Sequence, residues 1–431
     1  MLPLNKSKKS STLSYLVESV LPVVAVLLAN VGFIFLIYFN QYQLDWDRIT
    51  YLNISLSVII LFFFFYLLYR SLKAPKNIVH LEEADLPTVS LILPVFNEEK
   101  YIFKVLESIA ASDYPMEKFE LIVVNDGSTD QTLLEIQRFL AQFQGDALLI
   151  NFPINQGKKA GLVVGFKKAK NEVIVTIDSD TFLLPDSIKK LLSQMDESVD
   201  AICGHTLVKN QKTNLLTKIQ AFEYLISHQL FKAFEGVYDG VLCCPGCFSA
   251  YRKSAILLVL DEFERSLIFN YKVDYGEDRY LTALLLFNQK KVVYSDEAVA
   301  FTIVPQNLSS FIIQRKRWIK SWFVNTLYLF RVVGMKKLVY QLYFYLSFIF
   351  NLLITSSLPL FIYFIFTANW NFLFHGLYMI FLYFIFILLK QGKIRLLMPL
   401  LFYLFTLLIY TWLVPLAIGN VSDHRWGRRA K

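Results

Sequence analysis

Long apolar runs lie near both ends of the chain, and between them short apolar runs alternate with amphipathic stretches. A helix that crosses a bilayer needs about 20 mostly apolar residues. We therefore predict membrane spans near residues 15–39, 51–69, 341–367, 372–389 and 395–418. Because no small-residue cleavage site follows the first run, we interpret it as a retained anchor and not as a signal peptide.

The middle of the chain, from about residue 85 to 300, has the pattern of an α/β domain. Short β-rich apolar runs predict strands at Thr88–Phe96, Phe119–Asn125, Ala147–Phe152, Glu172–Asp178 and Ala201–Val208. Helical spacing predicts helices at Glu98–Ala111, Thr129–Phe139, Lys158–Ala169 and Asp186–Met195. This alternation predicts a mostly parallel sheet with helices on both faces. Ligands of such sheets bind beyond the carboxyl ends of the strands.

The distribution of charge indicates a lipid bilayer, and not nucleic acid, as the partner of the basic residues. The 431 residues are 55% hydrophobic and carry a net charge of +8. The basic residues flank the predicted spans, as they do on the cytoplasmic side of membrane proteins. This rule places the N-terminus, residues 70–340 and the loop 390–395 in the cytoplasm. Five crossings would leave the basic tail outside, so either one apolar segment does not cross or a further crossing exists.

Several common sites receive no support from the sequence. Neither GxGxxG nor GxxxxGK[ST] occurs, so a dinucleotide-binding fold and a phosphate-binding P-loop are not predicted. Cys203 and three cysteines between residues 243 and 247 lie in the predicted cytoplasmic segment, so we expect free thiols. The three could form half of a zinc site, but no second ligand pair at zinc spacing accompanies them, which favours a structural role.

Polar residues follow three of the predicted strands, at Asn97-Glu98-Glu99, Asn125–Asp130 and Asp178-Ser179-Asp180. Two carboxylates one residue apart can chelate Mg²⁺ or Mn²⁺, which in turn holds a diphosphate. The alternative is an acidic turn that caps the next helix. Asp126 could accept a hydrogen bond from a uracil or a ribose, although the same turn could equally serve as a helix N-cap.

Three further motifs could bind or transform an anionic sugar substrate. Lys158 is the first residue of a predicted helix, and a lysine at a helix N-terminus favours an anionic ligand. A solvated basic helix start is the simpler interpretation. Glu277-Asp278 could supply a general base, or could merely stabilise the helix that it heads. The stretch Gln314–Trp318 could stack a sugar on tryptophan and bind a diphosphate with arginine. It could also be a basic and aromatic belt beside a membrane span.

In their order along the chain, these motifs resemble those of the processive family 2 glycosyltransferases, which include cellulose, chitin and hyaluronan synthases. They are most similar to those of chitin synthases. The similarity covers about residues 85–330 and the C-terminal tail. The motifs that carry it are Phe222-Glu223-Tyr224, Ser227-His228, Lys232-Ala233, Glu235, Cys244–Arg252, Gly276–Thr282, Gln314–Ile319 and Trp426-Gly427-Arg428-Arg429.

This resemblance implies a GT-A fold and a UDP-sugar donor, with UDP-GlcNAc favoured. It implies nucleotide-binding roles for Pro94, Asn97, Glu98, Asp126, Lys158 and Asp178. Asp178 and Asp180 would bind Mg²⁺ or Mn²⁺, and Asp278, beside Glu277, would be the catalytic base. The acceptor end and the pyrophosphate would be held by Cys247, Gln314, Arg317 and Trp318.

We therefore predict a multi-pass enzyme of the cell membrane, with its catalytic domain in the cytoplasm, that extends a β-linked N-acetylglucosamine polymer processively with inversion. Its predicted parts are spans in 1–76, a GT-A domain at 85–305, interfacial helices at 306–340, spans in 341–420 and a basic tail at 421–431. The alternatives are a non-processive transfer to a lipid carrier, a hyaluronan or other polysaccharide synthase, and a transporter with a nucleotide-sensing domain. Few ionisable residues lie in the predicted spans, which disfavours the transporter. The sequence does not identify the linkage or the oligomeric state.

Overall fold

The computed structural model describes residues 66–72, 83–265, 267–268, 271–272, 276–348, 381, 384–385 and 397–419. The predicted span at 15–39 and the tail lie entirely outside these residues. Most of each of the predicted spans at 51–69, 341–367 and 372–389 also lies outside them. Within the described ranges, no single helix has both the length and the apolar character to cross a bilayer. Two consecutive helical segments, Leu397–Tyr410 and Trp412–Ile418, together have the required length and apolar character, with a bend of 42° between them.

An eight-stranded sheet forms the centre of the described domain. Its strands are β1 (Val89–Val95), β2 (Phe119–Asn125), β3 (Asp146–Asn151), β4 (Val173–Ile177), β5 (Thr181–Leu183), β6 (Ala201–Val208), β7 (Phe248–Arg252) and β10 (Val292–Thr302). The short strands β8 (Leu267–Ile268) and β9 (Tyr271–Lys272) form a separate antiparallel ribbon. Across the main sheet the strands follow the order β3-β2-β1-β4-β7-β6-β10-β5.

The sheet is mixed, whereas the sequence pattern predicts a mostly parallel one. Strands β3, β2, β1 and β4 are parallel neighbours, and β6 is parallel to β10. Strand β7 lies between these two groups and is antiparallel to both β4 and β6. Strand β5 is antiparallel to β10. The difference arises because three strands of the sheet, β5, β7 and β10, are absent from the predicted set.

Helices cover both faces of the sheet, as predicted. They are α1 (Ile102–Ala110), α2 (Thr132–Leu140), α3 (Lys158–Lys168), α4 (Ser187–Leu192), α5 (Leu215–Ile226), α6 (Ala233–Val237), α7 (Lys253–Arg265), α8 (Glu277–Phe287), α9 (Leu308–Val333) and α10 (Leu397–Gly419). Along β1, Leu91 and Leu93 pack with α1, α2 and α4, whereas Ile92 packs with α3, α7 and α8. This burial on both faces explains why the central strands are apolar at almost every position.

Two helices carry the motifs that lie outside the strand ends. Helix α5 continues through a π-helical segment, Ser227–Lys232, into α6. Such segments often mark functional sites because they change the direction of the side chains that follow. Helix α9 contains the Gln314–Trp318 motif, as predicted, and Asn307 caps it by accepting a hydrogen bond from the Ser310 amide at 2.9 Å. It packs against both α8 and α10.

Candidate active site

The loops that follow β1 and β2 are joined by hydrogen bonds at one edge of the sheet. Asn97 adopts a left-handed conformation with a φ of 52°. Its Oδ1 accepts a hydrogen bond from the Thr129 amide at 2.8 Å. The Glu98 amide donates to Thr132 Oγ1 at 2.7 Å, and Pro94 is buried inside β1. These predicted nucleotide-binding residues therefore lie at the carboxyl ends of parallel neighbouring strands, where we expect a ligand.

Asp126 anchors the turn that leads into α3. Its two carboxylate oxygens accept hydrogen bonds from Gln156 N at 2.7 Å, Gly157 N at 2.9 Å and Asn155 Nδ2 at 2.8 Å. Burial raises the pKa of Asp126, and the two backbone hydrogen bonds partly offset that rise. Asp126 thus fixes the position of Lys158, the first residue of α3.

Lys158 joins three carboxylates that are distant in the sequence. Its Nζ lies 2.5 Å from Asp178 Oδ1 and 3.0 Å from Glu277 Oε1. Burial would lower the pKa of Lys158, but the charges of Asp178, Glu277 and Asp278 outweigh it and hold that pKa well above its ordinary value. The start of α3, the end of β4 and the start of α8 therefore meet at one ammonium group.

The loop 240–247 passes directly beneath this ammonium. Gly246 lies so close to Lys158 Nζ and Asp178 that a Cβ there would overlap the ammonium. The Cys243 thiol lies 3.7 Å from Asp278 Oδ2, and the Cys247 thiol lies 3.6 Å from Asp178 Oδ2. Burial, with added repulsion from Asp278, raises the pKa of Cys243 to about 12, so this thiol stays protonated and can donate to the carboxylate.

Asp278 has the surroundings of a general base. Burial raises its pKa, and the adjacent charge of Glu277 raises it further, whereas Lys158 and Arg279 lower it. Its side chain lines a small cavity together with Lys158 and Gly246, and apolar side chains of α3 and α8 form the other wall. A carboxylate in such a site accepts a proton more readily than one in water.

Asp178 and Asp180 have the chemistry of ligands for a hard divalent cation. Asp180 is buried, with Thr302 Oγ1 3.5 Å from its Oδ1. Burial raises the pKa of the Cys247 thiol, and both carboxylates raise it further, so Asp178 and Asp180 both lie near this thiol. Among the described residues, no group of three or more His, Cys, Asp or Glu forms a complete metal site. Two carboxylates suit Mg²⁺ or Mn²⁺, which commonly take their remaining ligands from substrate phosphates and water.

The Gln314–Trp318 motif is connected to the region of these carboxylates through Tyr224. Trp318 is 37% exposed, and its ring centroid lies 6.3 Å from that of Tyr224. Burial and then the Cys247 thiol raise the pKa of Tyr224, whereas Arg315 lowers it and Asp180 raises it, so this tyrosine contacts Trp318 and also lies near Asp180. Gln314 Oε1 is buried and accepts no hydrogen bond from any described residue. Arg317 is partly exposed on the same helix.

Arg315, which is not among the predicted site residues, is almost completely buried at 1% exposure. Its Nη2 lies 2.6 Å from Glu223 Oε2. Its guanidinium stacks over the rings of Phe311, at 4.8 Å, and Trp318, at 4.2 Å. Tyr410 of α10 donates to the other oxygen of Glu223 at 3.1 Å. Arg315 therefore orients Trp318 and ties α9 to α5 and α10.

The structure thus brings together Lys158, Asp178, Asp180, Asp278 and Cys247, and it connects them to Trp318 through Tyr224. Sequence reasoning missed Tyr224, Cys243 and Arg315 as parts of this site. Tyr224 and Arg315 lie within motifs already recognised, and Cys243 directly precedes one, so the motifs themselves were the signal that could have found these residues.

Comparison with known proteins identifies the family. A family model described as chitin synthase matches residues 125–431. Curated relatives include N-acetylglucosaminyltransferases from Neorhizobium galegae, 33% identical over 250 residues, and from Rhizobium leguminosarum bv. viciae, 34% identical over 252 residues. The match covers 57% of this chain in both cases, and 57% and 58% of the length of the two relatives.

A solved structure has the same fold. The mannosyltransferase from Pyrobaculum calidifontis, in complex with GDP-Man and Mn²⁺, superposes with a TM-score of 0.58 at 16% identity. The superposition covers 89% of this chain and 98% of that protein, which confirms the predicted GT-A-like mixed α/β fold. Because the family model covers well over half of the sequence, the chain belongs to the chitin synthase family of glycosyltransferases.

Proposed function

We propose that the protein is a membrane-bound, processive, inverting glycosyltransferase that polymerises N-acetylglucosamine from UDP-GlcNAc into a β-linked polysaccharide. One observation carries the proposal: the ammonium of Lys158 contacts both Asp178 and Glu277, which are distant in the sequence, so that Asp278, next to Glu277, lies beside the carboxylates of the predicted donor site. The relatives named N-acetylglucosaminyltransferase support the choice of sugar.

The donor diphosphate would bind at the start of α3. The first backbone N–H groups of this helix and the buried Lys158 both favour an anion there. Asp126 would hold the turn, and the loop with Asn97 and Glu98 would border the uridine. When bound between Asp178 and Asp180, Mg²⁺ or Mn²⁺ would neutralise negative charge on the departing UDP.

Asp278 would act as the base. An acceptor hydroxyl would give its proton to Asp278 as its oxygen forms a bond to the anomeric carbon of the donor sugar. The bond between that carbon and the diphosphate would break on the opposite face, so UDP leaves with the electron pair and the configuration inverts. Glu277 would keep Lys158 in place through their 3.0 Å contact.

The acceptor would lie against α9. The half-exposed face of Trp318 suits the apolar face of a sugar ring, and Arg315 keeps this indole in a fixed orientation. Arg317, Gln314 and Cys247 would supply polar contacts to the acceptor end and the pyrophosphate. A polymer retained at this platform can be extended repeatedly, which is the basis of the proposed processivity.

The predicted spans and the basic residues beside them support a multi-pass protein of the cell membrane with a cytoplasmic active site. Helix α10, whose Leu413 and Val414 pack with Ile319 of α9, is the described segment that supports such a span. The growing polymer would leave through the membrane region as it lengthens.

The test is turnover by the full chain, purified in detergent, with a panel of radiolabelled UDP-sugars and Mg²⁺ or Mn²⁺. We expect UDP release with UDP-GlcNAc and a product ladder of N-acetylglucosamine repeats by mass analysis. A single sugar on a lipid carrier would overturn the processive part and favour the non-processive alternative. Absence of turnover with every UDP-sugar would overturn the proposal.

A further inference from the structure

The helical segment that follows α5 has no part in the reaction described above, although it contains two buried charged residues. Lys232 ends the π-helical segment and Glu235 lies in α6, and the two residues are only 8% and 6% exposed. Burying a charge is costly unless hydrogen bonds or opposite charges compensate it. The partners of these two side chains therefore indicate what the charges hold in place.

Both side chains bind the backbone of the 240–247 loop. The Lys232 ammonium donates to the carbonyl oxygen of Cys243. Glu235 Oε2 accepts a hydrogen bond from the Leu242 amide at 3.1 Å. Hydrogen bonds of this charge-assisted kind are about twice as strong as neutral ones. Two consecutive residues of the loop are thus fixed from one helix.

The helix formed by residues 338–348 holds the same loop from another side. Tyr343 Oη donates to Glu235 Oε1 at 2.7 Å, and the Tyr340 hydroxyl donates to the Gly240 carbonyl. Both tyrosines are buried. The Glu235 carboxylate therefore bridges two elements, with one oxygen bound to the loop and the other to this helix.

The other end of the loop contacts the reaction centre. The Cys243 thiol is the neighbour of Asp278, and the Cys247 thiol is the neighbour of Asp178. The Cys244 amide also donates to Thr282 Oγ1 of α8 at 2.9 Å. A displacement of the loop would change how the base and the donor site lie relative to each other.

We propose that Lys232 and Glu235 are positioning residues that hold this loop against the reaction centre, and that Tyr343 makes the loop position depend on helix 338–348. This inference rests on the proposed function, because it assumes sugar transfer at Asp278. The sequence predicts that helix 338–348 leads into the membrane span near 341–367. Tyr343 would therefore let the transmembrane region influence catalysis.

The decisive variant is Tyr343→Phe, which removes one hydroxyl and keeps the ring. Tyr345→Phe is the matched control, since Tyr345 lies on the same helix and is 37% exposed. We expect Tyr343→Phe to lower kcat about three- to tenfold, which corresponds to the loss of one hydrogen bond of ordinary strength. We expect an unchanged KM for UDP-GlcNAc, and a larger fraction of donor hydrolysed instead of transferred, because the acceptor and the base are misaligned. Tyr345→Phe should leave all three quantities unchanged.

Glu235→Gln provides an independent measurement. Glutamine keeps the size of the side chain but has no negative charge, so its contacts with the Leu242 amide and the Tyr343 hydroxyl lose their charge-assisted strength. We therefore expect the same change in the ratio of hydrolysis to transfer. In the double variant with Tyr343→Phe the effects should be less than additive, since both act through one carboxylate. UDP affinity and the melting temperature of each variant establish that it is folded.

Two results would overturn the inference while leaving the proposed function intact. One is that the wild type is active, and that Tyr343→Phe and Tyr345→Phe have the same kcat and the same ratio of hydrolysis to transfer. The other is fully additive behaviour of Glu235→Gln and Tyr343→Phe. A wild type without turnover on any UDP-sugar would instead reject the proposed function itself.

Discussion

At the scale of single residues, the proposed mechanism depends on how an ordinary aspartate becomes a base that works near neutral pH. An aspartate in water has a pKa of about 3.9 and is a poor proton acceptor at neutral pH. Burial raises the pKa of Asp278, and the neighbouring charge of Glu277 raises it further. The same burial keeps water away from the anomeric carbon, which favours transfer over hydrolysis.

The pH dependence of the reaction should report this raised pKa. Because Asp278 must be ionised to accept a proton, kcat/KM should fall as the pH falls through its raised pKa. Glu277→Gln removes a charge that raises this pKa and leaves Lys158, which lowers it, in place. We therefore expect the acid limb of the kcat/KM profile to move to lower pH in Glu277→Gln. An acid limb that stays in place or moves to higher pH would contradict this assignment.

Asp278→Asn should abolish sugar transfer without weakening donor binding. Asparagine keeps the shape of the side chain but cannot accept the proton, so we expect transfer to fall by at least about 100-fold. UDP affinity, measured by calorimetry, should stay nearly unchanged because Lys158 and Asp178 remain. Asp178→Asn serves as the contrast, since it should weaken donor binding as well. Loss of UDP binding in Asp278→Asn would assign this residue to the donor site.

The sequence predicts part of the site at this scale. Asp178 follows from the rule that polar side chains at strand ends gather at one edge of a parallel sheet, whereas Asp278 follows from the resemblance to chitin synthases. The burial of Arg315 does not follow from the sequence, because three basic residues occur together between Gln314 and Trp318. Only packing against Phe311 and Glu223 decides which of the three is buried. The thiol of Cys243 is likewise placed by a loop whose path the local sequence does not specify.

At the scale of secondary-structure elements, the start of α8 fixes the base relative to α9. Gly276 caps α8 in a left-handed conformation with a φ of 71°. A Cβ at this position would overlap the hydroxyl of Ser321 in α9. Only glycine therefore allows α8 to begin this close to α9, with Asp278 two residues further along.

Gly276→Ala should displace the start of α8. The left-handed backbone costs an alanine about 1–2 kcal/mol, and the overlap with Ser321 adds about 1–3 kcal/mol. We expect a lower melting temperature and a loss of transfer that exceeds the loss of UDP binding. Gly334→Ala is the control, because Gly334 has an ordinary φ of −59° and open space around its Cβ position. Equal effects of the two substitutions would contradict this account of α8.

The limits of sequence reasoning are different for elements than for residues. The five predicted strands exist, with ends shifted by at most one residue, because each contains a β-rich apolar run. Strand β7 was not predicted, since Phe248–Arg252 is extended through its antiparallel partners β4 and β6 and not through its own pattern. The three residues of β5 are too few to show any period.

At the scale of the whole molecule, the acceptor platform is attached directly to a candidate membrane helix. Ile319, next to Trp318, packs with Leu413, Val414 and Ala417 of α10. The Glu223 carboxylate joins Arg315 of α9 to Tyr410 of α10. A polymer that leaves Trp318 would therefore start its path beside α10.

Sealed vesicles can test whether synthesis and export are coupled in this way. With the catalytic domain facing outward and UDP-GlcNAc added outside, we expect the polymer to accumulate in the lumen, because each added sugar pushes the chain along the path beside α10. The product should then resist a chitinase added outside and become digestible once detergent opens the vesicles. Protein in detergent micelles, whose product is accessible throughout, provides the control. Digestion in intact vesicles, confirmed as sealed by a trapped dye, would show that the chain is released on the side of its synthesis and that α9 and α10 do not lead it across the bilayer.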